Sequence, residues 1–360
     1  MPALLLRLAG SPRFQAWAAR VPLLRRIGRA EGAAIFDLVQ GFVRAQVLAA
    51  LVELDILAQL KSGPMLAADL AGDAGMNADR MAILLQAGAG IGLLHKRRDG
   101  RFALRMRGAA VLAVPGLEGM IRHHRAFYDD LADPTALLRG GAQTQLSQVW
   151  PYVFGAGAAE DPARAARYSA LMADSQALVA AEVLAHVSLA GSKRLLDVGG
   201  GTGAFLAAVG AKYPALNLHL FDLPAVLQGA AARLGTFGAR VQLHTGSFRD
   251  DPLPQGADTI SLIRVLYDHS DQTVAALLRA VHTALPQGGR LIVAEPMSGG
   301  ANPDPITDVY FSLYTLAMQT GRTRSMDEIA TLLRSAGFVN IHKIPCFRPY
   351  IASAITATRG

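Results

Sequence analysis

The sequence predicts an α/β domain built on a mostly parallel sheet over residues 191–360, preceded by a mostly α-helical domain. Three observations predict this. A strand-like run, Arg194-Leu195-Leu196-Asp197-Val198, enters the glycine turn Gly199-Gly200-Gly201-Thr202-Gly203, and the apolar run Ala204–Val209 reads as the helix beyond it. Further strand-like runs follow, alternating with helical spacing, which implies parallel strands with ligands at their carboxyl ends. Upstream, helical spacing gives way to a short hairpin on Asp99-Gly100.

The glycine turn is the chemical centre of the chain. Glycines allow φ > 0 and let a ligand approach bare backbone, and the following helix presents free N–H groups. Two ligand classes fit. A dinucleotide would set its pyrophosphate on the helix N-terminus, and Gly199-x-Gly201-x-x-Ala204 matches that fingerprint loosely. S-adenosylmethionine carries a charged amine instead, for which Asp197 at the strand tip is the natural partner. A lone glycine motif is weak, but more pieces follow in order. Asn217–Asp222 is a strand ending in an acid about 20 residues on, as a ribose-binding carboxylate requires. Val241–Phe248 is a third strand whose end can flank adenine. Thr259–Arg264 is a fourth, leading into Val265-Leu266-Tyr267-Asp268-His269-Ser270-Asp271. Arg290–Glu295 is a fifth, after the turn Pro286–Gly289.

Composition bounds the rest. The chain has 360 residues, 51% hydrophobic and 18% charged, which fits about two domains with large cores. A single cysteine, Cys346, excludes a disulfide framework and a cysteine-based metal site. The net charge of +7 describes the surface and its partners, not the fold. No apolar run reaches the ~18 residues that span a bilayer, and Leu4–Leu6 is too short for a signal core. A cytoplasmic protein is expected.

Residues 1–36 set Arg7, Arg13, Arg20, Arg25, Arg26 and Arg29 against one acid, Glu31, with Phe14, Trp17, Leu23 and Leu24 between them. Such an arm either lies peripherally on a membrane or packs on its own domain or a partner chain. Pro12 and Pro22 divide it into short helices. From Asp37 a long helix is expected, with Leu38, Phe42, Ala45, Ala49, Val52 and Ile56 as a packing seam, ended by Lys61–Pro64. A short helix (Leu66–Ala71), a helix capped by Asn77, and the hairpin Leu93–Arg98 with Arg101–Leu104 make a winged-helix domain over 37–115. DNA binding is the rival reading. The recognition-helix candidate carries only Arg80, so a dimerisation domain is favoured and no nucleic acid is expected.

Residues 116–190 read as a helical connector lining a substrate pocket. His123 and His124 lack the acid or cysteine spacing of a metal site. Gly140–Pro162, with Trp150, Tyr152 and Phe154, reads as a loop that walls the pocket, and Met172, Asp174 and Ser175 as residues facing the cofactor. After the fifth strand come an aromatic helix (Asp308–Met318), a helix capped by Ser325 (Met326–Ser335), and two strands (about Asn340–Pro345 and Tyr350–Thr356) close enough to pair antiparallel.

This order resembles the dimeric plant-type small-molecule O-methyltransferases. The resemblance implies a class I S-adenosylmethionine methyltransferase sheet, Rossmann-like with a C-terminal antiparallel hairpin, a winged-helix dimerisation domain, and a homodimer. It places the methionine end of the cofactor on Asp197, Gly199, Gly200, Gly201 and Gly203, the ribose on Asp222 and Leu223, and the adenine on Ser247 and Phe248, with Ser247 where the family has an acid. Arg264 joins the cofactor set. The family's Leu-His-Asp-x-x-Asp stretch falls on Leu266–Asp271, so its base histidine is Tyr267 here. Of the two supporting acids, one matches Glu295 and the other falls near Thr323. Ser11–Ala18, Phe36–Val43 and Arg264–His269 look more narrowly like the purple-bacterial carotenoid O-methyltransferases of the hydroxyneurosporene or demethylspheroidene type. That implies a tertiary hydroxyl on a long apolar carotenoid. A bacteriochlorophyllide or a phenol is the alternative acceptor.

The expected chemistry is an in-line displacement at a sulfonium methyl, in which alignment lowers the barrier. A tyrosine near pKa ~10 is a poor base at pH 7. Tyr267 is therefore expected to orient the hydroxyl, with His269 as base aided by Asp268. A winged-helix regulator with a vestigial cofactor domain and a nicotinamide dehydrogenase are the readings from other classes.

Overall fold

The computed structural model describes residues 3–141, 143–149 and 175–360. These form two compact units, Met1–Ala113 and Val114–Gly360.

In the first unit, helices α1 (Ala3–Ala9), α2 (Pro12–Ala18) and α3 (Pro22–Val39) form the arm. Pro12 and Pro22 start their helices rather than break them, because the missing N–H of proline costs nothing in a first turn. The long helix expected from Asp37 is instead three pieces. α3 ends at Val39, α4 runs Gly41–Glu53, and α5 runs Ile56–Leu60 after Asp55 adopts a left-handed φ of 53°. The seam is split accordingly. Leu38 and Phe42 are exposed, whereas Ala49, Val52 and Ile56 are core residues. No single helix among the described residues is long and apolar enough to cross a membrane. α3 and α4 together reach that length but bend by 53° at their break.

α6 (Ala67–Asp73) and α7 (Ala78–Gly90) follow, with the Asn77 side chain accepting from Asp79 N at 2.7 Å as the cap of α7. The hairpin β1 (Leu94–Lys96) and β2 (Phe102–Leu104) pairs antiparallel, and Gly100 takes φ 84° in its loop. α8 (Met106–Ala113) then crosses close to the hairpin. Helix, turn, helix and hairpin thus form the expected wing.

The second unit begins with α9 (Leu117–Asp130), α10 (Pro134–Arg139), α11 (Gln145–Val149) and a helix over residues 175–186, α12. The pocket-wall residues expected at Trp150, Tyr152, Phe154, Met172 and Asp174 lie outside the described residues. Then come β3 (Arg194–Val198), α13 (Ala204–Lys212), β4 (Asn217–Asp222), α14 (Pro224–Leu227), α15 (Ala230–Leu234), β5 (Val241–Thr245) and β6 (Thr259–Ile263). A 3₁₀ turn (Leu266–Asp268) leads to α16 (Asp271–Ala284), β7 (Arg290–Glu295), α17 (Thr307–Met318), α18 (Met326–Ser335), β8 (Phe338–Ile344) and β9 (Ser353–Arg359).

The sheet order is β5-β4-β3-β6-β7-β9-β8. The first five strands are parallel, and β9 pairs antiparallel with both β7 and β8. Alternate side chains of β3 enter opposite cores. Leu196 and Val198 pack with α16 and α18 residues such as Val274, Leu278 and Leu333, while Leu195 packs with Phe205, Leu206 and Val183 of α13 and α12. Burial on both faces explains why these strands read as continuous apolar runs. The chain order reverses between β3 and β6, so ligands belong beyond the carboxyl ends of those strands.

One close approach in the first unit is open to test. A Cβ at Gly108 in α8 would run into the Leu93 carbonyl oxygen and lie 3.0 Å from Leu104 Cδ2. Gly108→Ala is expected to lower the stability of this unit by about 1–3 kcal/mol, visible as an earlier urea midpoint at unchanged slope.

Candidate active site

At the tip of β3, Asp197 is fully buried. Its Oδ1 accepts from Ser261 Oγ of β6 at 2.5 Å, and its Oδ2 is buried with no hydrogen-bond partner among the described residues. Burial pushes this carboxyl up to about 7, against the Ser261 hydrogen bond and with help from the Asp222 charge. Gly200 must lack a side chain, since a Cβ there would collide with Asp197 Oδ2 and Leu220. Gly199, Gly201 and Gly203 take φ of 69°, 62° and 75°. A Cβ on Gly201 would meet nothing within 4 Å among the described residues.

Asp222, at the end of β4, accepts from Gly201 N with Oδ2 and from Leu223 N with Oδ1, both at 2.7 Å. Burial raises it to about 6, against those two bonds. The first and second strand tips are thus tied together, with Leu223 held at the rim. The third tip joins them through Phe248, which stands near the Cβ direction of Gly199. Ser247 replaces the expected acid, but the next turn supplies two. Ser247 N donates to Asp251 at 2.8 Å and its Oγ to Asp250 at 2.9 Å. An orphaned buried carboxylate oxygen for an ammonium, bare backbone beside it, and a second carboxylate one strand away fit the amino-acid and ribose ends of S-adenosylmethionine.

The residues expected to act on the acceptor lie at the end of β6. Arg264, expected among the cofactor residues, adopts a left-handed φ of 59°, and its side chain lies against the 3₁₀ turn. It donates from Nε at 3.3 Å and Nη2 at 3.1 Å to the Tyr267 hydroxyl oxygen, and from Nη1 at 2.8 Å to Ser175 Oγ. Tyr267 is buried, and burial holds its phenol well above the usual tyrosine value. It stays protonated, and with its oxygen engaged by Arg264 its own proton remains to be donated. Asp268 Oδ1 is buried without a partner among the described residues, and burial lifts this acid to about 8 despite Arg264 nearby.

Two of the expected site residues make other contacts. Glu295 reaches the backbone of the turn, and its Oε1 is buried with no hydrogen-bond partner among the described residues. Its Oε2 accepts from Leu266 N at 2.9 Å and Tyr267 N at 3.3 Å, so it holds the backbone of the turn. His269 is poorly suited as the base. Arg249 Nη2 donates to its Nδ1 at 3.0 Å, which occupies the nitrogen that would receive a proton. Burial, Arg249 and Arg324 press its pKa down to about 3. Its ring packs edge-on against Phe248 at 5.1 Å, on the side expected for adenine. Thr323, at the second acid position, accepts from Ser298 Oγ at 2.5 Å instead.

Sequence reasoning missed Arg324. This guanidinium is fully buried and donates to Leu266 O at 2.8 Å, His269 O at 2.9 Å and Arg322 O at 3.1 Å, besides the Asp271 carboxylate at 2.6 and 2.9 Å. It fixes both ends of the turn that carries Tyr267. Its signal in the sequence, one arginine in a polar loop, is indistinguishable from a surface charge.

With this geometry the family models agree. The O-methyltransferase domain matches residues 128–339, and the O-methyltransferase dimerisation domain matches residues 36–111. The chain belongs to the O-methyltransferase family. The O-methyltransferase is 59% identical over 98% of its length to demethylspheroidene O-methyltransferase of Cereibacter sphaeroides, covering 94% of that protein. It is 52% identical over 98% of its length to the protein of that name from Rhodobacter capsulatus, covering 89% of it. Among solved structures, human N-acetylserotonin methyltransferase in complex with S-adenosylmethionine superposes with a TM-score of 0.76 at 25% identity, over 92% of this chain and 98% of that one.

Two outcomes check the site. Arg324→Met leaves buried carbonyls without donors and should cost about 3 kcal/mol in chemical unfolding; a loss below about 1 kcal/mol would contradict the clamp. For Asp197, a folded-state pKa near 7 lies above the unfolded value, so its stabilising protonation is complete below the unfolded pKa and is lost as pH rises through about 7. Asp197→Asn should therefore raise the melting temperature of the ligand-free protein at pH 8, change it little at pH 5, and weaken binding of S-adenosylhomocysteine at both.

Proposed function

We propose that this enzyme methylates a tertiary hydroxyl of a hydroxylated carotenoid of the hydroxyneurosporene or demethylspheroidene type, with S-adenosylmethionine as methyl donor. The observation that carries the acceptor is the 59% and 52% identity, over 98% of the chain, to two demethylspheroidene O-methyltransferases. The replacement of the usual base histidine by Tyr267 supports it as well. A phenol needs a base to become a nucleophile near pH 7, whereas an alcohol attacks as the neutral species and loses its proton as the bond forms.

The donor supplies an electrophilic methyl on a positively charged sulfur. Asp197 receives the amine of its amino-acid end, the glycine turn admits that end to the backbone, Asp222 and Leu223 hold the ribose, and Ser247, Phe248 and His269 flank the adenine. The Arg264–Tyr267 pair positions the acceptor oxygen through the Tyr267 proton. Alignment of oxygen, methyl and sulfur then lowers the barrier. The enzyme acts as a homodimer through residues 36–111, where exposed Leu38 and Phe42 await a partner. Exposed Trp17, Leu23 and Ile27, with the arginines of the arm, support contact with an anionic membrane surface where such an acceptor resides.

The test is transfer of labelled methyl to 1-hydroxy carotenoid in detergent micelles. Tyr267→Phe should lower kcat by roughly 10–100-fold while S-adenosylhomocysteine binds as before. Methylation of a phenol or a chlorophyllide, with none of the hydroxy carotenoid, would remove the proposed acceptor.

A further inference from the structure

With His269 engaged and Tyr267 protonated, the released proton needs a destination. α9 and α17 present one. His124 Nε2 lies 2.7 Å from the Tyr310 hydroxyl, and His123 Nε2 lies 3.0 Å from the Tyr314 hydroxyl. The two tyrosines stand one turn apart on α17 and stack at 5.5 Å, with Phe127 edge-on to both. α17 also packs against the 3₁₀ turn that carries Tyr267, and both Tyr267 and Arg264 lie within electrostatic reach of Tyr310. Tyr314 is buried, whereas Tyr310 and His124 are partly accessible. Such matched polar pairs in an aromatic wall cost more to bury than the phenylalanines that would fill the same space.

We propose that the Tyr310–His124 pair carries away the proton that the acceptor hydroxyl releases on methylation. This rests on the reading of the acceptor as an alcohol at Tyr267. The acceptor oxygen forms a bond to the methyl carbon as the carbon–sulfur bond breaks, its electron pair going to sulfur. The O–H proton passes to Tyr310 Oη while the Tyr310 proton passes to His124 Nε2. The positive charge lost at sulfur reappears on the imidazolium, so charge balances, and His124 returns the proton to solvent. Tyr310 is the catalytic member and His124 a positioning and relay residue. Burial and His123 depress His124 to about 4, which keeps its imidazole neutral; what separates it from His269 is the partner, a hydroxyl that can hand on a proton in place of an arginine that already fills the ring nitrogen. A protonated ether is so much stronger an acid that a weak base suffices. The groups facing His124 are His123 and Tyr128 of its own helix and Tyr310 of α17, with Arg264 beyond; Arg122 and Arg125 stand on the exposed side of α9.

The experiment has two arms. In steady-state methylation, His124→Ala and Tyr310→Phe should each lower kcat by about 10²-fold with little change in KM or in S-adenosylhomocysteine affinity, and the double variant should be no worse than either single one. Wild-type kcat in either single variant, or multiplied losses in the double one, would overturn the relay. In ¹⁵N NMR of the ligand-free wild type, His124 should carry its proton on Nδ1, accept at Nε2, and titrate well below 6.5; Tyr310→Phe should change its Nε2 shift. A His124 protonated on Nε2 would overturn the proposal whatever the acceptor is. Absence of carotenoid methylation by the wild type, with the NMR signature intact, would count against the acceptor alone.

Discussion

A carboxylate kept from water at the tip of β3 sets the terms for this site. Asp197 has one oxygen satisfied by Ser261 and one with no hydrogen-bond donor among the described residues. Leaving a charge in that state is unfavourable unless a cation arrives. The surroundings follow from it. Gly200 can only be glycine because the carboxylate occupies the space of its Cβ. Gly201 points its N–H at Asp222, so the second strand tip is fixed by the same turn. A cation bound beside this carboxylate would offset the cost of burying its charge, so binding and stability are coupled there.

The turn beyond β6 is built on a different device. A short 3₁₀ turn is held by Glu295 at its N–H groups and by Arg324 at its carbonyls. A buried carboxyl and a buried guanidinium thereby fix the backbone from both sides, independently of the side chains of Tyr267 and Asp268. This is why the histidine of the family motif can be absent without loss of the turn. The turn's geometry depends on groups outside the motif, and the identity of its central side chain is free to follow the acceptor. A tyrosine locked by Arg264 suits an alcohol that needs orientation, whereas a phenol requires a base.

The order of elements is legible in the sequence. The five parallel strands, the glycine turn, the helix cap at Ser325 and the hairpin on Asp99-Gly100 all read directly, because each depends on residues within a few positions of one another. Helix boundaries in the first unit did not. The four-and-three spacing from Leu38 to Ile56 crosses two breaks, at Gln40 and at Leu54-Asp55. Spacing alone cannot register a left-handed residue that rotates the following helix.

What the chain determined by itself is which strand tips carry Asp197, Asp222 and Tyr267, since a parallel sheet sends every strand end to one edge. What tertiary structure decided is which way the side chains look from that edge. His269 is two residues from Tyr267, yet it turns toward Phe248 and Arg249. Arg324 reads as a surface charge and is wholly buried. His123 and His124 read as an ordinary pair and meet Tyr314 and Tyr310 across 191 and 186 positions of chain. Hydrogen bonds and desolvation act through space, and no local pattern encodes a partner that far away.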